Sequence, residues 1–162
     1  MRPGLYAFRM RTQAHEAASC HPTILLAEGD PSLRRWLGVL LREAGFGVLE
    51  AGGASEVLDH LRSPSPIHVV VTDSRVGRMP GWEVAQETSS LRAGVPVVRL
   101  ISNFAEGAPI CRADLDPSVL LWKPFTVPDL LKTIRAQLGR NAPGVEMQTA
   151  APAPGRRYTF DQ

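Results

Sequence analysis

The amino-acid sequence predicts an α/β fold: a doubly wound, five-stranded parallel sheet with helices on both faces. Short β-branched runs alternate five times with amphipathic segments, which is typical of parallel sheets with right-handed crossovers. One run, Ile67–Thr72, is almost entirely apolar, as expected for a strand that is covered on both sides. Asp73 ends that run, and ligands of open α/β sheets bind where the strands end.

Composition indicates one globular domain. The chain has 162 residues, of which 44% are hydrophobic and 21% charged, enough for one ordinary core. We place the domain at residues 22–139, after a flexible extension at residues 1–21. Residues 140–162 are rich in Pro and Ala, and we predict a disordered tail there because such a segment buries too little apolar surface to offset its ordering entropy.

Charge and cysteine content exclude several classes of protein. Residues 23–139 contain twelve Lys and Arg against thirteen Asp and Glu, so the folded domain lacks the basic excess of a nucleic-acid-binding surface. No apolar run is long enough to span a bilayer. Cys20 and Cys111 form neither a disulfide framework nor a metal-ligand spacing. We therefore expect a cytoplasmic protein whose folded domain binds neither nucleic acid nor membrane.

The first half of the chain supplies three predicted strands and two predicted helices. Asp30 is a good N-cap before Pro31, and the apolar stripe of the first helix ends near Gly45. We predict that Ser55 caps the second helix. The strands are assigned to Thr23–Glu28, Gly47–Ala51 and the run that leads to Asp73.

The second half supplies two further strands and three helices, one of them irregular. Thr126 with Asp129 three residues later predicts the start of the last helix, and Gly139 its end. The segment from Asn103 to Asp116 contains Gly and Pro, so we expect its helix to be short or irregular. The remaining elements are predicted as a helix over Trp82–Leu91 and strands over Pro96–Ile101 and Val119–Trp122.

These residues together resemble a known family, the receiver domain of response regulators, which has a CheY-like (βα)5 fold. The resemblance covers residues 23–139 and rests on an ordered set of motifs. They are Ile24-Leu25-Leu26-Ala27-Glu28-Gly29-Asp30-Pro31, Val71-Thr72-Asp73 followed by Gly81-Trp82, Pro96-Val97-Val98, and Leu121-Trp122-Lys123-Pro124-Phe125. It implies that a sensor histidine kinase or a phosphotransfer protein donates a phosphoryl group to the domain, which then signals to a downstream protein partner.

The resemblance also implies roles for individual residues. Asp73 is the expected phosphoacceptor, and Lys123 is expected to pair with the phosphoryl oxygens. The peptide bond between Lys123 and Pro124 is expected to be cis. Glu28, Asp73 and the backbone carbonyl of Arg75 are the expected ligands of Mg²⁺. Such an ion accepts few carboxylates and keeps several waters. Glu28 has two open interpretations: a water-mediated role at the metal, or a salt bridge to Lys123.

Several positions depart from the family pattern. Gly29 stands where the family has a second adjacent acid that ligates magnesium directly, which weakens the expected site. Ile101 aligns with the family's switch hydroxyl, so Ser102 fills that role only after a one-residue adjustment. Leu120 replaces the aromatic switch residue, and Gly77 replaces a proline four residues after the acceptor.

Three classes of function relate to this pattern of residues. The favoured one is a phosphorylatable receiver that works through protein contacts at the last helix and its preceding strand, where we expect Leu120, Lys132 and Arg135 to be exposed. The alternative is a phosphorylation-independent pseudo-receiver that acts as an interaction module. An aspartate-nucleophile phosphohydrolase would need an acid two residues after the nucleophile, where Arg75 stands. We therefore predict a signalling module rather than an enzyme.

Overall fold

A computed structural model of the chain describes residues 21–102 and 120–141. The strands in these ranges are β1 (Thr23–Ala27), β2 (Gly47–Ala51), β3 (Val69–Asp73), β4 (Arg75–Val76), β5 (Met79–Pro80), β6 (Val97–Ile101) and β7 (Leu120–Trp122). The helices are α1 (Pro31–Glu43), α2 (Ala54–Arg62), α3 (Gly81–Leu91) and α4 (Val127–Asn141). Five of the strands form one parallel sheet in the order β2-β1-β3-β6-β7, which confirms the predicted fold class.

The register of the sheet brings the strand ends to one edge. Ala27 of β1 pairs with Thr72 of β3, and Thr72 pairs with Arg99 of β6. Arg99 in turn pairs with Leu120, the first residue of β7. The residues that follow these pairs therefore leave the sheet close together.

The core lies on both faces of the sheet. On one face, α1 and α4 pack against alternate strand residues; the largest fully buried members are Ile24, Leu26, Leu37, Leu41, Leu100, Leu130 and Ile134. On the other face, α2 and α3 cover a second set that includes Leu25, Val57, Leu61, Val70 and Val84. The central strands are thus buried on both sides, which explains why their sequences are apolar without alternation.

Two predicted helix starts are confirmed. The Asp30 carboxylate accepts the backbone N–H groups of Ser32 and Leu33, both at 2.8 Å, and so caps α1. At α4, the Asp129 carboxylate accepts both the backbone N–H and the hydroxyl of Thr126, at 3.0 and 2.6 Å. These bonds satisfy donors that the first turn of a helix leaves unpaired.

Two predicted helix boundaries are wrong. Helix α2 begins at Ala54 with Gly53 as N-cap and no side-chain cap bond, so Ser55 lies inside the helix. The loop is fixed instead by the Glu56 carboxylate, which accepts the Gly52 N–H at 2.6 Å. Gly139 does not end the last helix, which continues to Asn141, because its backbone does not adopt the positive φ at which glycine commonly ends a helix.

The structure also contains an element that the sequence prediction missed. Strands β4 and β5 form a small antiparallel hairpin between β3 and α3, with Gly77 at its turn. Each strand has two residues, too few to show a periodic pattern. The irregular helix predicted between Asn103 and Asp116, and most of the tails predicted at residues 1–21 and 140–162, lie outside the described residues. Arg140 and Asn141, which the prediction places in the disordered tail, continue the last helix instead.

None of the helices within residues 21–102 and 120–141 has the length and apolar character needed to cross a bilayer.

Candidate functional site

Three chemically active side chains follow strand ends at the carboxyl edge of the sheet. Glu28 directly follows β1, Asp73 ends β3, and Lys123 directly follows β7. The register of β1, β3, β6 and β7 places the ends of these strands at one edge of the sheet. The backbone therefore brings these three residues to one edge of the sheet, as predicted.

Asp73 and Lys123 form a direct ion pair. The Lys123 Nζ donates to the Asp73 Oδ1 at 2.7 Å, and the two side chains are 26% and 17% exposed. The backbone N–H of Lys123 donates to the carbonyl of Ile101 at 2.7 Å, and the bond from Lys123 to Pro124 is cis, as expected. Lys123 thus meets the carboxylate of Asp73, and the alternative salt bridge between Lys123 and Glu28 is not present.

Glu28 is a buried residue, and one of its two carboxylate oxygens accepts a hydrogen bond. The residue is 3% exposed, and Oε1 accepts the backbone N–H of Asp30 at 2.9 Å. Oε2 is buried and has no hydrogen-bond partner among the residues that the structure describes. Burial raises the pKa of this carboxyl and the charge of Asp73 adds to the rise, while the Asp30 N–H and Lys123 oppose it. An ionised Glu28 would be stabilised by a cation at Oε2.

The hairpin supplies a backbone carbonyl close to Gly29, the residue that follows Glu28. A Cβ at Gly29 would lie 3.5 Å from the Arg75 carbonyl oxygen and 3.1 Å from the Gly77 nitrogen. Gly29 itself offers no carboxylate, and within the described residues no group of three or more His, Cys, Asp or Glu could hold a metal. The available donors are therefore two carboxylates and one carbonyl, a set that Mg²⁺ accepts when water completes its shell.

Comparison with known proteins assigns the family. Residues 24–135 match the family described as "Response regulator receiver domain". The chain belongs to this family. It is a receiver domain of two-component signal transduction, and receiver domains are signalling modules.

Relatives support the assignment and show its extent. The chain is 31% identical over 117 residues to "Response regulator RR06" of Streptococcus pneumoniae, covering 72% of this chain and 53% of that protein. It is 32% identical over 120 residues to "DNA-binding response regulator MtrA" of Mycolicibacterium smegmatis, covering 73% and 51%. The chain spans about half the length of these two relatives. The comparisons do not favour the pseudo-receiver alternative.

Solved structures share the fold. A response regulator receiver protein from Sinorhizobium medicae is 29% identical with a TM-score of 0.64, covering 76% of this chain and 98% of that chain. The receiver domain of the sensor histidine kinase PA1611 from Pseudomonas aeruginosa is 20% identical with a TM-score of 0.64, covering 74% and 99%. That protein has a magnesium ion coordinated in its active-site cleft. At this identity the likeness concerns the fold alone.

The structure describes both candidate switch residues of the receiver, Ile101 and Ser102. Neither side chain forms a hydrogen bond with Asp73 or Lys123 in the described ranges. Ile101 is the last residue of β6, is buried, and continues the ladder opposite Trp122 without a bulge. Ser102 follows it, is exposed, and its hydroxyl forms no hydrogen bond with Asp73 or Lys123 in the described part of the chain. The role of the Ser102 hydroxyl at the site stays a prediction.

Sequence reasoning missed two residues that shape the receiver's site. The guanidinium of Arg34 donates to the carbonyl of Glu28 at 2.7 Å and so holds the chain where it leaves β1. Gly81 donates its N–H to the carbonyl of Ser74 at 2.8 Å, and a Cβ there would overlap the carbonyl oxygen of Asp73. The sequence shows Gly81 only as part of the Gly81-Trp82 motif, without a sign of its close approach to Asp73. The position of Arg34, one turn into α1, is the signal that indicates contact with the strand end.

Proposed function

We propose that Asp73 accepts a phosphoryl group from a sensor histidine kinase or a phosphotransfer protein, and that the domain passes this signal to a downstream protein. The observation that carries the proposal is the 2.7 Å ion pair between Asp73 and Lys123. It lies at the same sheet edge as the half-unpaired carboxylate of Glu28. One nucleophile, one fixed cation and one acid that needs a cation are the parts that phosphoryl transfer requires.

In the proposed reaction, a carboxylate oxygen of Asp73 attacks the phosphorus of a phosphohistidine. A bond forms between that oxygen and phosphorus, the phosphorus–nitrogen bond breaks, and the electron pair returns to the imidazole, which takes up a proton. Lys123 already lies against the Asp73 carboxylate, so its Nζ can hold the phosphoryl oxygens after transfer. Its fixed charge offsets the repulsion between the carboxylate and the incoming anion.

We propose that Mg²⁺ is held by Glu28, Asp73 and the carbonyl of Arg75. The unpaired, buried Oε2 of Glu28 supports this assignment, as does the position of the Arg75 carbonyl beside Gly29. A bound ion would supply positive charge between the attacking carboxylate and the phosphoryl group. The absence of a carboxylate at Gly29 leaves water to complete the shell, so we expect weaker binding than a three-carboxylate site would give.

Output is proposed to run through protein contacts at β7 and α4. Lys132 is exposed, whereas Leu120 and Arg135 are half-buried. These elements border an open cavity of about 480 Å³ whose lining includes Leu120, Trp122 and Lys132. We propose that the domain acts in the cytoplasm as a signalling module rather than an enzyme, and that its folded part binds neither nucleic acid nor membrane.

The proposal is tested by locating the phosphoryl group. The purified chain is incubated with Mg²⁺ and a small phosphodonor and then reduced with borohydride, which converts an aspartyl phosphate to homoserine. Peptide mapping is expected to find homoserine at position 73, and to find none in the Lys123→Ala variant at the same incubation time. Homoserine at another aspartate, with Asp73 intact, would contradict the assignment.

A further inference from the structure

The backbone of Gly77 lies close to the position that a side chain on Gly29 would occupy. A Cβ on Gly29 would lie 3.1 Å from the Gly77 nitrogen and 3.8 Å from the Val76 Cα. The first distance is tighter than most Cβ contacts in proteins. The hairpin that carries Gly77 therefore lies nearer to the end of β1 than a side chain at position 29 would permit without movement.

Gly77 also lies close to a second segment, the loop that follows β2. Its φ of +61° lies in the left-handed region that glycine adopts without strain. A Cβ on Gly77 would contact the Gly52 carbonyl at 3.7 Å and the Gly53 Cα at 3.8 Å. The turn of the hairpin thus sits between the β1 end and the loop that follows β2. Backbone atoms therefore lie close to the turn on both sides.

We propose that the contact between Gly29 and Gly77 sets the position of the Arg75 carbonyl and thereby controls how tightly the site holds a divalent cation. The inference rests on the proposed cation site. Arg75 lies two residues before Gly77 in the same hairpin, so a shift of the turn moves its carbonyl. Mg²⁺ requires near-ideal octahedral geometry with oxygens at about 2.0–2.1 Å. A displacement of a few tenths of an ångström is therefore enough to weaken binding.

Gly29→Ala separates this effect from the loss of a ligand, because glycine and alanine both contribute no side-chain donor. The added methyl group pushes against the Gly77 nitrogen, and we expect Mg²⁺ affinity to fall by roughly tenfold, the scale at which residues outside the ligand set change metal affinity. Gly139→Ala is the matched control. A Cβ there meets nothing within 4 Å, so affinity should be unchanged.

Gly77→Ala approaches the same contact from the other side and serves if the first variant folds poorly. Alanine is strained at a φ of +61°, so the turn should move and Mg²⁺ affinity should fall. Gly94→Ala is its control, since Gly94 has a φ of +88° and open space around its Cβ position. That control also places alanine at a positive φ, without touching the hairpin.

Calorimetric titration of each purified full-length variant with Mg²⁺ tests the proposal, and thermal unfolding verifies that each is folded. Both single variants should bind more weakly than their controls, and the double variant should lose less than the two single losses combined, because they break one contact. Wild-type affinity in Gly29→Ala and Gly77→Ala, or strictly additive losses, would overturn the proposal. Absence of Mg²⁺ binding by the wild type would overturn it too, whereas homoserine mapping judges the phosphoacceptor role separately.

Discussion

Replacing Glu28 with glutamine is expected to stabilise the metal-free domain. Glu28 is 3% exposed, and its Oε2 has no hydrogen-bond partner within residues 21–102 and 120–141. A buried polar group left unpaired costs about 1–3 kcal/mol, and more when it is charged. Glutamine keeps an oxygen for the Asp30 N–H, which Oε1 now accepts at 2.9 Å, but it carries no charge. Because its amide NH₂ still lacks a partner, we expect a net gain of about 1 kcal/mol at neutral pH.

The pH dependence of this difference has a defined sign. Burial, followed by repulsion from Asp73, raises the pKa of Glu28 in the folded state. The folded protein therefore binds the proton more tightly than the unfolded chain does. Its free energy of unfolding falls as the pH rises from the unfolded pKa through the folded one. The glutamine variant lacks this loss, so its advantage should be absent at acidic pH and fully developed above the folded pKa.

Urea unfolding in EDTA between pH 4 and pH 8 measures this difference. Glu56→Gln is the control, because Glu56 is exposed and its carboxylate also accepts a backbone N–H, that of Gly52 at 2.6 Å. Mg²⁺ should raise the stability of the wild type by mass action and that of Glu28→Gln by less. A glutamine variant less stable than wild type in EDTA at every pH would refute the reasoning.

Three further perturbations probe the surrounding fold. Asp129→Asn should lower the urea midpoint at neutral pH, because hydrogen bonds from Thr126 hold the pKa of Asp129 below its usual value. The stability that the ionised Asp129 contributes is lost as the pH falls through its pKa in the folded state. The midpoints of variant and wild type should therefore converge in acid. Gly81→Ala should cost about 1–3 kcal/mol in urea unfolding, since its Cβ would overlap the Asp73 carbonyl, and an unchanged midpoint would contradict that contact. Leu130→Ala should cost about 2–5 kcal/mol by the same assay, because Leu130 is fully buried in the core, and a loss below 1 kcal/mol would argue against its burial.

Most of the fold could be predicted from local patterns. The apolar run before Asp73 and the cap formed by Asp30 are encoded within a few residues, and both are present. Boundaries that depend on backbone conformation were less predictable. Gly139 carries no sign in the sequence that its backbone stays helical, and Ser55 is displaced as a cap because the loop before it is fixed by the Glu56 carboxylate.

The sequence predicts which residues form the site better than it predicts which of them contact each other. The predicted strand ends and the family pattern indicate Glu28, Asp73 and Lys123 from the sequence alone. The choice of Asp73 over Glu28 as the partner of Lys123 depends on the relative positions of three strands, which no local pattern contains. The contact between Gly29 and Gly77 depends on a hairpin too short to be seen in the sequence.

Intact-mass analysis after incubation with Mg²⁺ and a small phosphodonor tests the central claim most directly, with Asp73→Asn treated in parallel. The account predicts that the wild type gains the mass of one phosphoryl group and that the variant gains none. A wild type that stays unmodified with both a small phosphodonor and a competent histidine-kinase donor, while folded, would contradict the account. Equal modification of both proteins would show that another residue is the acceptor.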